Sequence, residues 1–132
     1  MISIVVVSHS QKAAEGAVEI AQEMNMGGVR ILAAGGVGDG SIGTNPTLIQ
    51  AALEEVADSD AILLFADLGS AILSAEMAVE MLDPDVARKV RIVDAPVVEG
   101  TVVAAIQAGL SDDVNEIVET AEGAKLVSKV NH

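Results

Sequence analysis

The sequence predicts an α/β fold: a central, mostly parallel sheet of about four strands, with helices on both faces in a three-layer arrangement. Three observations carry this expectation. Short apolar runs such as Ile2–Val7 and Ala61–Ala66 are almost uninterrupted, as strands buried on both faces must be. Segments with apolar residues at helical spacing alternate with those runs, an order that demands crossovers between parallel strands. Glycine, proline and aspartate stand at the junctions. No linker, repeat or low-complexity stretch divides the 132 residues, so 1–132 is expected to be a single domain.

The elements follow in order. Ile2–Val7 is the first strand. A helix is expected from about Gln11 to Asn25, with Ala13, Ala17, Ile20 and Met24 on its buried face and Glu15, Glu19 and Glu23 on another. Gly27 and Gly28 stop it. Val29–Ala33 is the second strand. Residues 34–44 hold five of the twelve glycines and must be loop. Asn45 then caps a helix that has Pro46 at its first position and runs to about Val56, with Leu48, Ile49, Ala52 and Val56 inward. Asp58-Ser59-Asp60 is a turn before the third strand, Ala61–Ala66. The third helix, Gly69–Leu82, is polar only at Ser70, Ser74, Glu76 and Glu80, and Asp83-Pro84-Asp85 ends it. Val90–Val93 is the fourth strand, and Val97–Gly109 a helix apolar nearly all round. Ser111 is read as the cap of a fifth helix, with Asp112 and Asp113 favourable in its first turn and Val114, Ile117, Val118 and Ala121 as its stripe. A helix apolar on all sides needs a second cover. The third and fourth helices are therefore expected to build a two-fold homodimer, the commonest arrangement.

Composition excludes several classes. At 51% hydrophobic residues the chain is too apolar for disorder, yet no run reaches the ~20 residues of a spanning helix. Without cysteine there is no disulfide, thiol chemistry or thiolate metal site. The first residues lack a basic stretch, so no secretory signal is read and the cytoplasm is the expected compartment. Seven basic against twenty acidic residues give a net charge of −13, which disfavours nucleic acid and anionic membranes alike. Such acidity fits solubility, a host of high internal salt, or steering of a basic partner.

Ligands of open α/β sheets bind beyond the carboxyl ends of the strands. Ser8, His9 and Ser10 follow the first strand, and the glycine-rich loop the second. Asp67, Leu68, Gly69 and Ser70 follow the third, and Asp94, Ala95 and Pro96 the fourth. His9 is the one internal histidine, too little for a zinc site, so neither metal nor cofactor is expected. Two readings of it stay open: a capping or surface histidine, or a nucleophile. Ser8 or Ser10 with His9 and Asp67 is a conceivable serine-nucleophile set, although sequence neighbours rarely point at each other. In a right-handed doubly wound sheet the third strand lies beside the first. Asp67 can then accept a hydrogen bond from His9, fixing its tautomer; its other reading is a cap for the third helix. Gly69 and Ser70 supply helix-terminal N–H groups and a hydroxyl, an arrangement suited to an anion. A nucleophilic imidazole, an orienting carboxylate and that cradle together point to a phosphoryl group carried on histidine. The loop Gly35-Gly36-Val37-Gly38 lacks a following Lys-Ser/Thr, so it is no P-loop; a lid or a partner contact is its other reading.

At these residues the chain resembles a known family. Val5-Val6-Val7-Ser8-His9-Ser10, Gly35-Gly36 through Ile42-Gly43-Thr44, Phe65-Ala66-Asp67-Leu68-Gly69-Ser70-Ala71 and Pro96-Val97-Val98-Glu99-Gly100 stand in the order and spacing of the phosphoryl-carrier subunits of phosphoenolpyruvate-dependent dihydroxyacetone kinases. These are related to the enzyme IIA domain of mannose-type phosphotransferase systems. The resemblance covers almost the whole chain. It implies a homodimeric α/β fold and a phosphotransferase role, with His9 phosphorylated, Asp67 orienting it, and Ser70, with Ser10 and Gly69, holding the phosphoryl group. It implies HPr as donor and, as acceptor, ADP on the nucleotide-binding kinase subunit. Two alternatives share the fold: a sugar-transport enzyme IIA, and a non-catalytic regulatory domain. The transport-type relatives differ where this chain has the glycine-rich loop and Asp67-Leu68-Gly69-Ser70, which favours the kinase subunit. A receiver domain is excluded because Ser8-His9, not an acidic pair, ends the first strand.

Overall fold

The alternating pattern condenses into one sheet because the central strands are apolar on both sides and every helix carries at least one apolar face to cover them. The computed structural model describes residues 1–131. Its elements are β1 (Ile2–Ser8), α1 (Gln11–Glu23), β2 (Arg30–Gly35), α2 (Pro46–Glu55), β3 (Ala61–Ala66), α3 (Gly69–Glu80), α4 (Pro84–Ala87), β4 (Val90–Ile92), α5 (Val97–Ala108) and α6 (Val114–Glu122), then a 3₁₀ turn at Gly123–Leu126. The four strands pair in parallel in the order β2-β1-β3-β4. β1 and β3 are central and buried throughout; β4 is a short, partly exposed edge.

Strand alternation divides the core in two. Ile4, Val6, Leu63 and Phe65 face the layer of α1, α5 and α6. Val5, Val7, Ile62 and Leu64 face α2 and α3, where Ile49, Leu53, Ala71, Ala75 and Ala78 meet them. Alanine lines the buried stripes of α1 and α3, which lets those helices approach the branched side chains of the sheet closely. No helix among the described residues is long and apolar enough to cross a membrane.

Several details depart from the sequence reading. The buried stripe of α1 is Ala14, Ala17 and Ala21, one position on from the expected face; Ala13, Ile20 and Met24 are exposed. The first turn sets this phase, because Ser10 caps the helix by accepting the Ala13 N–H. On α2 the expected Ile49 and Val56 are buried and Ala52 packs partly against the core, while Leu48 is only half-buried and Leu53, not expected, is fully buried. Asp113, not Ser111, caps the last helix through the Glu116 N–H, and the Ser111 hydroxyl accepts the Asp113 N–H one turn earlier. Asp83-Pro84-Asp85 does not merely end α3: Asp83 caps a further single turn, α4.

The two all-apolar helices lie on opposite faces of the sheet. α5 packs between α1 and α6, so its own chain covers its flanks. α3 is packed on the sheet and on α2, and it leaves Leu73, Met77 and Met81 exposed at i, i+4, i+8 spacing. α5 leaves Val98 and Ile106 just over one-third exposed, so among the described residues the more open apolar face is that of α3.

Candidate functional site

Parallel pairing of β1 with β3, in the register Val7 with Ala66, brings residues 58 positions apart to one edge of the sheet. His9 follows β1 and Asp67 follows β3. The His9 ring Nδ1 lies 2.9 Å from Asp67 Oδ1, and both side chains are about one-fifth exposed. The other ring nitrogen, Nε2, lies 2.5 Å from Ser70 Oγ at the start of α3.

Asp67 has no spare lone pair. Its Oδ1 accepts from His9 Nδ1 and the Leu68 N–H (2.8 Å); its Oδ2 accepts from the Ser8 hydroxyl (2.7 Å) and the His9 N–H (3.1 Å). Burial pushes the carboxyl group up, but the hydrogen bonds from Ser8, His9 and Leu68 outweigh it and hold Asp67 below the usual carboxylate range. Asp67 is thus an anion that only accepts. The hydrogen it faces must sit on His9 Nδ1, which leaves the lone pair on Nε2, toward Ser70.

The geometry shows what each of these residues bonds to. His9 is no helix cap; its ring is gripped from both nitrogens. Asp67 does not cap α3 in the usual way, since Leu68 holds the cap position without a side-chain bond. Ser8 does not face Nε2; its hydroxyl donates to Asp67 and accepts the Ser10 N–H at 3.0 Å. Ser10 accepts the Ala13 N–H as the cap of α1, so its oxygen serves the helix while its proton stays available. Gly69 and Ser70 place backbone N–H groups in the first turn of α3, and neither donates to a protein acceptor among the described residues. No lysine or arginine hydrogen-bonds to Ser8, His9, Asp67 or Ser70 among those residues.

The glycine-rich loop is part of the same construction. The Gly36 N–H donates to the Ser8 carbonyl (3.1 Å) and the Gly43 N–H to the His9 carbonyl (2.8 Å). Thr44 Oγ1 and Ser74 Oγ, 2.6 Å apart, tie its far end to α3. Gly43 has a φ of 140°, where a side chain is strained. Gly35 is required for space: a Cβ there would lie 2.6 Å from the Ser10 carbonyl oxygen and 2.9 Å from Gln11 Cα. The loop thus braces the backbone of His9, a role that glycine content alone did not reveal. Sequence reasoning also missed Ser8 as a donor. Its signal was a polar residue closing a strand that is otherwise valine and isoleucine from Ile4 on.

The fourth strand end stands apart. Asp94 pairs with Lys125 at 2.7 Å and receives no bond from His9 or Ser70. Between the ends of β3 and β4 lies a cleft of about 390 Å³ lined by Asp67, Leu68, Ile72, Ile92 and Asp94.

Comparison with known proteins accords with this geometry. The EIIA-man family, described as the PTS system fructose IIA component, matches residues 3–118. The chain belongs to this family. Among its relatives, a chain from Listeria innocua is 46% identical over 119 residues, covering 90% of this chain and 95% of its own length. That protein is named PEP-dependent dihydroxyacetone kinase 2, phosphoryl donor subunit DhaM. A DhaM protein of Klebsiella michiganensis is 42% identical over 133 residues, and that of Escherichia coli 42% over 121 residues. The first match takes in 98% of this chain but only 28% of the Klebsiella protein's length; the second takes in 89% of this chain and 26% of the Escherichia protein's. A crystal structure of a protein of unknown function superposes with a TM-score of 0.85 at 41% identity, covering 92% of each chain. The EIIA-man segment ends at residue 118, so it contains all of His9, Asp67, Gly69 and Ser70.

Proposed function

We propose that this chain is a phosphohistidine carrier, the phosphoryl donor subunit of a dihydroxyacetone kinase. The observation that carries the reading is the His9 ring held at Nδ1 by a saturated carboxylate, with Nε2 beside Ser70 and the free N–H groups of α3. The names of the DhaM relatives supply the substrate context.

The Nε2 lone pair attacks phosphorus on the donor, and the bond between phosphorus and the donor nitrogen breaks, its electrons returning to the donor ring. A neutral imidazole thereby becomes a phosphorylated ring bearing positive charge, with its hydrogen still on Nδ1. Asp67 offsets that charge. The phosphoryl oxygens fit the N–H groups of Gly69 and Ser70, the Ser70 hydroxyl, and the proton of Ser10. With no lysine or arginine bonded to these residues among those described, the phosphoryl charge is offset by these dipoles and by the partner. In the second half-reaction Nε2 is the leaving group. HPr is the donor in this reading, and ADP on the nucleotide-binding kinase subunit is the acceptor; the reaction belongs to the cytoplasm. A second copy of the chain covers the Leu73–Met77–Met81 face of α3.

The test is incubation with phosphoenolpyruvate, enzyme I and HPr, then mass spectrometry under alkaline conditions. One phosphoryl group on His9, labile to acid and stable to base, is expected. A label that survives in His9→Ala, or is stable to acid, refutes the reading. Transfer onward to a kinase subunit loaded with ADP separates it from a sugar-transport component.

A further inference from the structure

Ser8 is the one buried hydroxyl beside the site that the carrier reaction leaves unassigned. Only 2% of the residue is exposed, at the carboxyl end of β1, so it cannot meet a partner or a phosphoryl donor. Its hydroxyl is used in both directions. The oxygen accepts the Ser10 N–H at 3.0 Å, and the proton goes to Asp67 Oδ2 at 2.7 Å. With the Ser10 N–H on the oxygen, the proton turns to the carboxylate acceptor in reach, Asp67 Oδ2.

We propose that Ser8 is a positioning residue that acts on His9 through Asp67. The carboxylate has two donors on each oxygen, and Ser8 is the only side chain other than His9 among the four. The two backbone donors already sit on different oxygens, Leu68 N–H on Oδ1 and His9 N–H on Oδ2, and so set how the carboxylate plane is turned. The Ser8 hydroxyl adds the second donor at Oδ2 and tightens that orientation, with Oδ1 facing Nδ1. A hydroxyl that donates to a carboxylate also lowers the carboxylate's affinity for a proton. Asp67 is thereby kept an acceptor, and the hydrogen stays on His9 Nδ1. Without Ser8, Oδ2 keeps only the 3.1 Å bond from the His9 N–H, the carboxylate is held less tightly and binds a proton more readily, and the Ser10 N–H loses its acceptor at the cap of α1. These changes blur the tautomer that leaves Nε2 free. This inference rests on His9 being the phosphorylated residue for its kinetic readout, but not for its spectroscopic one.

The experiment compares wild type with Ser8→Ala and Ser8→Cys. The thiol keeps the volume at a buried position but is a weak donor. Two quantities are read: the rate of His9 phosphorylation from HPr, and the ¹⁵N chemical shifts of the His9 ring in the unphosphorylated protein. Wild type should show an N–H type Nδ1 and a lone-pair type Nε2. Both variants should show the two shifts drawn toward each other, and phosphorylation slowed roughly tenfold, as for other residues that orient a ligand or base from behind. Wild-type shifts and rate in Ser8→Ala overturn the proposal. So does full recovery in Ser8→Cys, because space-filling alone would then explain the residue. Should Ser8→Ala fail to fold by circular dichroism, Ser8→Cys decides by the same two readouts. If wild type itself takes no phosphoryl group, the carrier reading fails, while the ring shifts still decide the role of Ser8.

Discussion

Replacing Asp67 by asparagine isolates charge and tautomer from shape. The carboxylate accepts four hydrogen bonds, two at each oxygen. Asparagine has one acceptor oxygen and an NH₂ group. If the oxygen takes the Ser8 side, the NH₂ faces His9 Nδ1 and the Leu68 N–H. Nδ1 must then accept, the ring hydrogen moves to Nε2, and the nucleophilic lone pair is lost. If the oxygen takes the His9 ring side, the tautomer survives, but the NH₂ faces the His9 N–H and no negative charge offsets the phosphorylated ring. Either way one backbone N–H is set against another donor, at a cost of ~1–3 kcal/mol. Removing the comparable carboxylate from a Ser–His–Asp triad slows turnover by up to about 10⁴-fold. We expect Asp67→Asn to slow phosphorylation by ~10²–10⁴-fold, equivalent to roughly 3–5 kcal/mol in the barrier. Ser70→Ala removes a single hydrogen bond to a charged group, ~1.5–3 kcal/mol, and should cost about 10–100-fold. The assay is the time course of phosphoryl incorporation from HPr, read by intact mass, with circular dichroism to show that both variants fold. If Ser70→Ala is the slower of the two, the anion cradle dominates and the role given to Asp67 is wrong. Wild-type rates in both would place the chemistry elsewhere.

Three further outcomes follow from the structure. Gly35→Ala sets a Cβ against the Ser10 carbonyl and Gln11 Cα, backbone atoms that cannot swing aside. It should lower stability by ~1–3 kcal/mol in a denaturant titration, and an unchanged midpoint would contradict the close approach of β2 to α1. Asp67 is held below its ordinary range in the folded protein, so its ionised form adds stability above about pH 3.9, and that stability is lost as the pH falls through the lower folded value. The gap in melting temperature between wild type and Asp67→Asn should therefore narrow as the pH is lowered from about 5 to below the usual carboxylate range; a constant gap would show that the carboxylate's charge adds nothing to the fold. Met77→Asp, on the exposed stripe of α3, should convert a dimer into monomer by light scattering, because an unpaired charge in a desolvated interface costs ~3–5 kcal/mol. A monomeric wild type would remove the basis for this outcome.

The layers of the fold, and the meeting of His9 with Asp67 at the candidate site, were legible in the amino-acid order alone. A short β-branched or leucine-rich apolar run bounded by turn residues, such as Ala61–Ala66 after Asp58-Ser59-Asp60, reads as a strand covered on both faces, and right-handed crossovers then put β3 beside β1. With those two facts, His9 and Asp67 had to meet at one sheet edge. Phase, direction and neighbourhood were settled only by folding. The buried face of α1 turns on the Ser10 cap, a one-residue choice that two overlapping alanine stripes leave open. Most of the apolar circumference of α5 is met by α1 and α6, with Val98 and Ile106 left over, whereas α3 keeps Leu73 and Met77 well exposed, and composition cannot tell a neighbour in the chain from one outside it. The role of Ser8 and the bracing of His9 by Gly43 depend on which way single hydrogen-bonding groups point across the sheet edge. Those directions are set by strand register and loop closure over long separations, and no local spacing encodes them.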